Sequence, residues 1–171
     1  MEIFCLRHGQ AVERGNPSYP DDSARPLTVE GKCEMQRVAK GMKTLETGFD
    51  VILSSPYCRA FETAEAVAKA YRAGRHLKTT PLLAADADPR KLLTHLQKKY
   101  GPSLKILLVG HEPFLSRFVS LLINGNFRTT LRLKKAGLCK LSADPLRKRA
   151  RASLDWLLTP RQLKGFLGGL S

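Results

Sequence analysis

The chain has 171 residues, of which 43% are hydrophobic and 26% charged. This is the composition of an ordinary soluble globular protein, and the length is typical of one domain, so we expect a single domain over residues 1–171 that needs no disulfide or metal to fold. No stretch approaches the roughly 18–20 uncharged apolar residues of a membrane span, and Glu2 and Arg7 interrupt the apolar amino terminus too early for a signal peptide. We therefore expect a cytoplasmic protein with no membrane partner.

The cysteines and the charge narrow the class further. Four cysteines lie far apart with no C-x-x-C spacing, which argues against zinc and favours reduced, mostly buried thiols. The net charge is +14, and residues 125–151 carry nine basic side chains against one acid, Asp144. Such a field favours anionic partners, although a solvated face that keeps the protein soluble is the alternative. Between Arg128 and Arg151 there is no Tyr, Trp or Phe to stack on bases, which argues against nucleic-acid binding.

The first half of the chain alternates between strand-like and helix-like segments. An apolar strand is predicted over 3–6, followed by a loop rich in Pro, Gly, Ser and Asp over 15–26. Thr28 can cap a helix whose apolar residues recur at three- and four-residue steps. A second strand is predicted over 51–53, and Ser55-Pro56 is typical of an N-cap and the first residue of the next helix.

The second half continues the alternation. A weaker strand is predicted over 77–83, a helix over 89–100, and a central strand, apolar on both faces, over 106–109. A helix after Pro113, two strands near 137–141 and 152–158, and a tail helix from Pro160 complete the chain. The alternation predicts a three-layer α/β/α sandwich around a mostly parallel sheet.

Three polar clusters fall at predicted strand ends, where open α/β sheets bind ligands. They are Arg7-His8-Gly9, the run from Ser54 to Arg59, and Gly110-His111-Glu112-Pro113. Together they offer two arginines, two histidines and a helix amino terminus. Arginine donates paired hydrogen bonds to phosphate oxygens, a helix start attracts anions, and an imidazole is neutral often enough at pH 7 to attack phosphorus. Each cluster alone is weak, but their coincidence at one sheet edge indicates phosphoryl chemistry.

These motifs resemble those of the histidine phosphatase superfamily, which includes the phosphoglycerate mutases. The resemblance rests on Leu6-Arg7-His8-Gly9, Arg25-Pro26-Leu27-Thr28-x-x-Gly31, Ser54-Ser55-Pro56-x-x-Arg59-Ala60-x-x-Thr63-Ala64 and Val109-Gly110-His111-Glu112-Pro113. The short length and the closing Trp156-x-x-x-Pro160 are most similar to the SixA-type phosphohistidine phosphatases. The resemblance implies a phosphoglycerate mutase-like fold, His8 as the nucleophile, a phosphate pocket of Arg7, Arg59 and His111, and Arg25 reaching the substrate.

One feature of the family is weak in this sequence. Many members carry an acid between the two histidine motifs that protonates the leaving group, and here that region offers only Asp86 and Asp88, for which helix capping is an alternative role. A missing acid suits a phosphohistidine substrate, because imidazole leaves more readily than an alkoxide. Gln10, next to the nucleophile motif, either touches the substrate or stabilises the loop.

The function predicted from the sequence is a cytoplasmic, metal-independent and cofactor-free phosphohistidine phosphatase. Its partner would be a histidine-phosphorylated protein or another anionic phosphorylated substrate. One alternative is a phosphomonoesterase of the same fold with Asp86 or Asp88 as its acid. A second alternative is a basic nucleic-acid-binding module. A third is a metal hydrolase that uses His8, His111 and Asp86, which is disfavoured because the arginines would repel a cation.

Overall fold

A computed structural model describes residues 1–143 and 152–167 of the chain. Six strands in this part of the chain form one sheet: β1 (Glu2–Arg7), β2 (Val51–Ser54), β3 (Leu77–Thr79), β4 (Lys105–Gly110), β5 (Leu138–Ser142) and β6 (Ser153–Leu158). Five α-helices accompany them: α1 (Val29–Met42), α2 (Cys58–Ala70), α3 (Pro89–Lys99), α4 (Phe114–Asn124) and α5 (Pro160–Gly165). The order of elements is the one that the sequence predicts.

The sheet has the strand order β3-β2-β4-β1-β5-β6. Strands β3, β2, β4 and β1 are parallel to their neighbours, whereas β5 pairs antiparallel with both β1 and β6. Strand β4 lies between β1 and β2, and its residues 106–109 are fully buried, as expected of a strand covered on both faces. The sheet is therefore mixed but mostly parallel, as predicted.

Helices cover both faces of the sheet. Alternate residues of β1 point to opposite sides: Phe4 and Leu6 pack in the core under α1, α2 and α5, whereas Ile3 and Cys5 pack in the core under α3 and α4. The predicted three-layer α/β/α sandwich is confirmed. Within the described residues, no helix is long and apolar enough to cross a membrane.

The predicted starts of two helices had different outcomes. Thr28 caps α1 as expected, its side chain accepting a hydrogen bond from the backbone of Gly31. The Ser55-Pro56 start of α2 is wrong: the helix begins at Cys58, and Tyr57 is the N-cap residue without a side-chain cap. The Ser55 hydroxyl forms a hydrogen bond with His111, which follows the neighbouring strand β4, and is therefore not devoted to capping the helix.

The weak strand predicted over 77–83 is shorter than expected. Strand β3 ends at Thr79, and residues Pro81–Leu83 form a 3₁₀ turn capped by the Thr80 side chain. Proline has no N–H for a ladder hydrogen bond, so it ends the strand. None of the four cysteines forms a disulfide, and the predicted burial is found for two of them. Cys5 and Cys139 are buried, Cys58 is half-buried and Cys33 is exposed.

Gly31 explains the spacing of the Arg25-Pro26-Leu27-Thr28-x-x-Gly31 motif. A Cβ at Gly31 would collide with the backbone carbonyl of Gln10, so only glycine lets the first turn of α1 lie against the loop after β1. The Thr28 N–H donates to the same carbonyl at 3.0 Å. The loop that carries His8 is therefore fixed against the start of α1.

Candidate active site

Strand pairing brings the three polar clusters together. Arg7 of β1 pairs in register with Gly110 of β4, and Ser54 of β2 pairs with Val109 of β4, so the three parallel strands end side by side. A cavity of about 330 Å³ opens there. Its lining consists of Arg7, His8, Ala11, Val12, Glu13, Arg14, Arg25, Arg59, Ala85, His111, Glu112 and Lys135. The four residues that the resemblance implies as catalytic thus share one cavity.

His8 presents a free nitrogen to this site. Its side chain is 7% exposed, and its Nδ1 lies 2.8 Å from the backbone carbonyl oxygen of Gly9. Because a carbonyl only accepts, Nδ1 carries the proton and the lone pair resides on Nε2. Burial, together with the charges of Arg59 and Arg7, lowers the pKa of His8 to about 3. The imidazole is therefore neutral at pH 7, the form a nucleophile needs.

His111 lies beside His8, with 5.2 Å between the ring centroids. Its Nε2 is 2.8 Å from the Ser55 hydroxyl, while its Nδ1 is buried with no hydrogen-bond partner among the described residues. The Ser55 oxygen also accepts from the Tyr57 N–H at 3.3 Å, and when its own proton is donated to His111 Nε2 the imidazole proton lies on Nδ1. Burial and the Arg59 charge lower the pKa of His111 to about 4. In that tautomer, His111 is a neutral N–H donor next to the nucleophile.

Arg7 and Arg59 each keep N–H donors that have no partner in the described part of the chain. Arg7 Nη1 donates to the carbonyl oxygen of Leu133 at 2.9 Å, and Arg59 donates through Nη1 to the backbone oxygen of Asp22 at 2.6 Å. The Nε of both guanidiniums is buried and has no partner in the described part of the chain. Burial lowers the pKa of both arginines from the ordinary value. Uncompensated buried donors of this kind match an anion that the site binds.

A short chain of hydrogen bonds ties the nucleophile loop to Arg59. The Gly9 N–H donates to Thr63 Oγ1 at 3.1 Å, and the Thr63 hydroxyl donates to the Arg59 carbonyl at 2.7 Å. A Cβ at Gly9 would approach the Met35 side chain to 2.8 Å, so glycine permits this close packing. Thr63 therefore connects the loop that carries His8 to the helix that carries Arg59.

Asp22 is a component of the site that the sequence did not reveal. Its Oδ1 accepts from Arg25 Nη2 at 2.7 Å and Arg14 Nε at 3.1 Å, and its Oδ2 accepts from Arg59 Nη2 at 2.9 Å. Burial opposes ionisation, but hydrogen bonds from Arg25 and the charge of Arg59 outweigh it and lower the pKa of Asp22 to about 2. Arg25, which also donates to the Val12 carbonyl, lines the cavity as the resemblance implies.

The remaining candidates lie outside the cavity lining. Gln10 has an exposed side chain, and its backbone oxygen holds Thr28, which matches the loop-stabilising alternative. Asp86 is exposed, and its neighbour Ala85 lines the cavity instead. Asp88 accepts from the Arg90 N–H at 2.9 Å and caps α3. The structure does not bring these three side chains to His8.

Two acids line the cavity: the exposed Glu13, and Glu112 within the histidine motif itself. The acids expected from the sequence were Asp86 and Asp88, so neither glutamate was predicted. The signal was present, because Glu112 directly follows His111 and precedes the start of α4.

The basic side chains of segment 125–151 lie in different environments. Lys135 lines the cavity and so lies next to the residues of the three polar clusters. Lys140 instead pairs with Glu46 at 2.8 Å and with Glu2 at 3.2 Å. The backbone oxygen of Leu133, in the same segment, accepts the hydrogen bond from Arg7. Its most basic stretch, Arg147 to Arg151, lies outside the described residues.

Outside this cavity, the described residues contain one larger groove and no cluster of metal-ligand side chains. A larger groove of about 910 Å³ between α1 and α2 is lined by side chains of both signs, including the Lys32–Glu62 ion pair at 2.6 Å, and lacks the paired histidines. No three His, Cys, Asp or Glu side chains group as metal ligands within residues 1–143 and 152–167. The chemistry therefore concentrates around His8.

Comparison with known proteins agrees with this geometry. Residues 3–84 match the model of the histidine phosphatase superfamily (branch 1). An uncharacterized protein of Picosynechococcus sp. is 34% identical over 159 residues, which is 92% of this chain and 94% of that protein. The phosphohistidine phosphatase SixA of Escherichia coli is 25% identical over 165 residues, covering 96% of this chain and 97% of that protein.

A solved structure gives the same fold. The protein histidine phosphatase SixA complexed with tungstate superposes with a TM-score of 0.81 at 24% identity, over 95% of this chain and 99% of that chain. The family match begins at β1 and spans His8, Arg25 and Arg59, three of the residues that line the cavity. The chain belongs to the histidine phosphatase superfamily.

Proposed function

We propose that this phosphatase removes phosphoryl groups from protein histidine through a covalent phospho-His8 intermediate. The observation that carries the proposal is the state of His8, a neutral imidazole whose Nε2 lone pair faces the cavity. Around it, Arg7 Nε, Arg59 Nε and His111 Nδ1 are buried and have no partner within the described residues. Three converging donors around one nucleophile suit the oxygens of a transferring phosphoryl group.

The reaction would proceed in two transfers. In the first, His8 Nε2 attacks phosphorus and the bond from phosphorus to the leaving nitrogen breaks, leaving phospho-His8. In the second, water attacks phosphorus and the N–P bond breaks, which returns the electron pair to Nε2 and releases inorganic phosphate. Arg7, Arg59 and His111 would bind the equatorial oxygens, where negative charge spreads in both transition states.

A protein substrate is supported by two observations. The curated relative that matches over 96% of this chain is a phosphohistidine phosphatase. The cavity rim carries the exposed cations Arg14 and Lys135, which would attract an acidic phosphoprotein. We further propose that residues 1–171 form one histidine phosphatase domain that acts in the cytoplasm. The chemistry assigned to His8 and the arginines needs no cofactor or metal.

A phosphomonoesterase is the second candidate function. Glu112 favours it, because a carboxyl group in the cavity can protonate an alkoxide as it leaves. The sequence argument for phosphohistidine rested partly on the absence of such an acid, and Glu112 removes that part of the argument.

The decisive experiment supplies the purified protein with a histidine-phosphorylated phosphotransfer domain and, separately, with common phosphate esters. We expect faster turnover of the phosphoprotein, unchanged in the presence of chelator, and an acid-labile, base-stable phosphoryl label on the enzyme. His8→Ala should abolish both turnover and label, because loss of a nucleophile costs many orders of magnitude. A His8→Ala protein that keeps a tenth of the wild-type rate excludes the covalent mechanism.

The phosphate clamp has its own test. Arg7→Ala, Arg59→Ala and His111→Ala should each lower kcat/KM on the order of 100-fold, as expected when one donor to a transferring phosphoryl group is lost. Vanadate, which mimics five-coordinate phosphorus, should inhibit the wild type strongly and Arg59→Ala weakly. Equal inhibition of the two proteins would show that Arg59 does not contact the phosphoryl group.

A further inference from the structure

Two arginines and one phenylalanine form a stacked cluster on the surface where α3 and α4 pack against each other. The Cζ atoms of Arg90 and Arg117 lie 4.5 Å and 4.7 Å from the centroid of the Phe127 ring. Both arginines are exposed and the ring is half-buried. A guanidinium at this distance is attracted to the face of an aromatic ring, so one ring holds two cations together. We call these three side chains the arginine cluster.

The segment after α4 holds Phe127 in place. Gly125 ends α4 in the left-handed conformation, at a φ of 70°, and the chain then turns back along the helix. The buried Ser120 hydroxyl donates to the carbonyl oxygen of Asn126 at 2.8 Å and accepts from the N–H of Thr129 at 3.0 Å. These bonds fix the backbone on both sides of Phe127 against α4. The ring is therefore a fixed platform for the two guanidiniums.

The positive charge of the arginine cluster is not balanced within the described residues. No carboxylate of those residues forms an ion pair with either guanidinium. Arg90 and Arg117 lie near the amino ends of α3 and α4, and neither first turn contains an acid. The amino end of a helix is itself positive, so cations there raise the electrostatic energy of the folded protein. Asp88, which caps α3 through the Arg90 N–H at 2.9 Å, offsets part of this at one helix. An external anion would therefore stabilise the cluster.

The arginine cluster lies beside the cavity that holds His8 and not in its lining. Ala85, four residues before α3, and Glu112, two residues before α4, both line the cavity, so both helices begin next to it. A helix rises about 1.5 Å per residue, which places Arg90 and Arg117 within about 5 Å of the helix starts along their axes. A protein that binds the cavity through one side chain covers a footprint of about 800 Å², roughly 30 Å across, and would reach the cluster. A small phosphorylated molecule would not.

We propose that the arginine cluster is a docking site for acidic side chains of the phosphoprotein substrate. The proposal rests on the phosphohistidine phosphatase function proposed above and adds to it a surface that recognises the rest of the substrate protein. A guanidinium donates two parallel hydrogen bonds to one carboxylate, and two guanidiniums ordered on one ring offer two such pairs of donors. Exposed charges at this position act on binding and leave the phosphoryl transfer itself unchanged.

An acidic protein fits the arginine cluster better than a nucleic acid does. Proteins that bind single strands stack the bases on aromatic side chains. Both guanidiniums lie over the Phe127 ring, so its face is already used inside the cluster. The donors of the two arginines remain, and these match carboxylates.

The experiment compares Arg90→Gln/Arg117→Gln with wild type on two substrates. One is a histidine-phosphorylated phosphotransfer domain of net negative charge, and the other is phosphoramidate, which has no protein surface. We expect kcat/KM for the phosphoprotein to fall about 10-fold, because two exposed charge pairs are lost, while kcat and the turnover of phosphoramidate stay unchanged. Lys91→Gln/Arg128→Gln is the matched control. It removes the same charge from exposed neighbours that are not part of the stack, and should lower kcat/KM less than about 2-fold.

Three results would overturn the proposal. An equal loss in the control would show that net charge, and not the cluster, governs the encounter. An equal loss with phosphoramidate would show that the cluster affects the chemical step. An unchanged kcat/KM for the phosphoprotein, together with binding of a single-stranded oligonucleotide that wild type shows and the double arginine variant loses, would assign the cluster to nucleic acid.

Phe127→Leu tests the platform separately from the charge. It keeps both arginines and an apolar side chain but removes the ring, so the guanidiniums are no longer held together. We expect kcat/KM for the phosphoprotein to fall about 3-fold with phosphoramidate turnover unchanged. An unchanged kcat/KM for the phosphoprotein would overturn the role of the stack.

Failure of the proposed function is a distinct outcome, because wild type would then not dephosphorylate the phosphotransfer domain at all. Docking is in that case measured by the dissociation constant of the unphosphorylated domain. We expect this constant to be about 10-fold higher for Arg90→Gln/Arg117→Gln than for wild type and for the Lys91→Gln/Arg128→Gln control. Equal dissociation constants in all three proteins would overturn the docking site.

Discussion

Asp22 binds Arg59 twice: its backbone oxygen accepts from Nη1 at 2.6 Å and its carboxylate accepts from Nη2 at 2.9 Å. This contact uses one N–H of each terminal nitrogen, and Nε has no partner among the described residues. Asp22 therefore positions the guanidinium and leaves Nε and the second N–H of each terminal nitrogen unused by its own oxygens. The 3₁₀ turn over Asp22–Ala24 lies far from α2 in sequence, so only the folded chain creates the contact.

Asp22→Asn should lower kcat/KM and weaken vanadate inhibition, each about 10-fold. The amide keeps the size of the side chain but loses the charge that holds Arg14, Arg25 and Arg59 together. Asp21→Asn is the matched control and should leave both parameters unchanged, because the Asp21 side chain is exposed and, within the described residues, bonds Ser23 and not the arginines. Tighter vanadate binding by Asp22→Asn would mean that Asp22 competes with the phosphoryl group.

Ser55→Ala should lower kcat about 10-fold while the protein remains folded. The serine hydroxyl bonds His111 Nε2 at 2.8 Å, and we infer that it donates there and keeps the imidazole proton on Nδ1, which has no partner among the described residues. Without this bond, worth about 1 kcal/mol, the proton can move to Nε2 and the donor to the phosphoryl group is lost. The ¹⁵N shifts of the His111 ring measure the tautomer. Ser54→Ala, equally buried but bonded to the Ser55 carbonyl, should change neither shifts nor rate.

The two site histidines should make the protein less stable as the pH falls below 6.5. Burial lowers the pKa of His8 to about 3 and of His111 to about 4, so the unfolded chain binds these protons first. The stability that the two neutral histidines contribute is complete above pH 6.5, the ordinary pKa of histidine. It is lost as the pH falls toward the pKa values of the folded protein. Each histidine contributes about 1.4 kcal/mol per pH unit within that window.

Urea unfolding of wild type and of His8→Asn/His111→Asn at pH 7 and pH 5 measures this effect. The double variant should lose less stability between the two pH values than wild type does. In the folded protein, the ring signals of both histidines should not titrate between pH 5 and 8. A titration of either ring near pH 6.5 in the folded state would contradict the buried, neutral assignment.

Lys135→Glu should lower kcat/KM toward an acidic phosphoprotein and flatten its salt dependence. Lys135 lines the cavity and is exposed, so its charge acts on the approach of an anion, over the roughly 8 Å that salt allows at physiological strength. Lys134→Glu is the matched control, because Lys134 is exposed next to it but absent from the lining. An equal loss in both variants would show that the overall charge of the segment, and not the position of Lys135, governs the encounter.

Reversal of Arg147, Lys148, Arg149 and Arg151 to glutamate extends this comparison. We expect the same loss toward an acidic phosphoprotein, with turnover of a small neutral-bodied phosphoramidate at saturation nearly unchanged. These four residues lie outside the described part of the chain, so the expectation follows from their charge alone. Equal losses for both substrates would place this stretch in the active site.

The sequence by itself determined the order of the strands and helices and the clusters that carry the chemistry. Hydrophobic periodicity is a local property, and the carboxyl ends of parallel strands meet at one edge, so His8, Arg59 and His111 could be placed together without coordinates. The resemblance added Arg25 on the same edge. Capping residues such as Thr28 and Asp88 were also visible, since their partners lie two or three residues away.

Only the tertiary structure decided what surrounds those residues. The partners of Arg59 and His111 come from segments 37 and 56 residues away, which no local pattern predicts. The neutral state of His8 depends on burial and on the arginine charges around it, and both exist only after folding. The same holds for the positions of Glu112 and Asp86: both are acids in the sequence, but strand and helix packing put one on the cavity wall and the other in water.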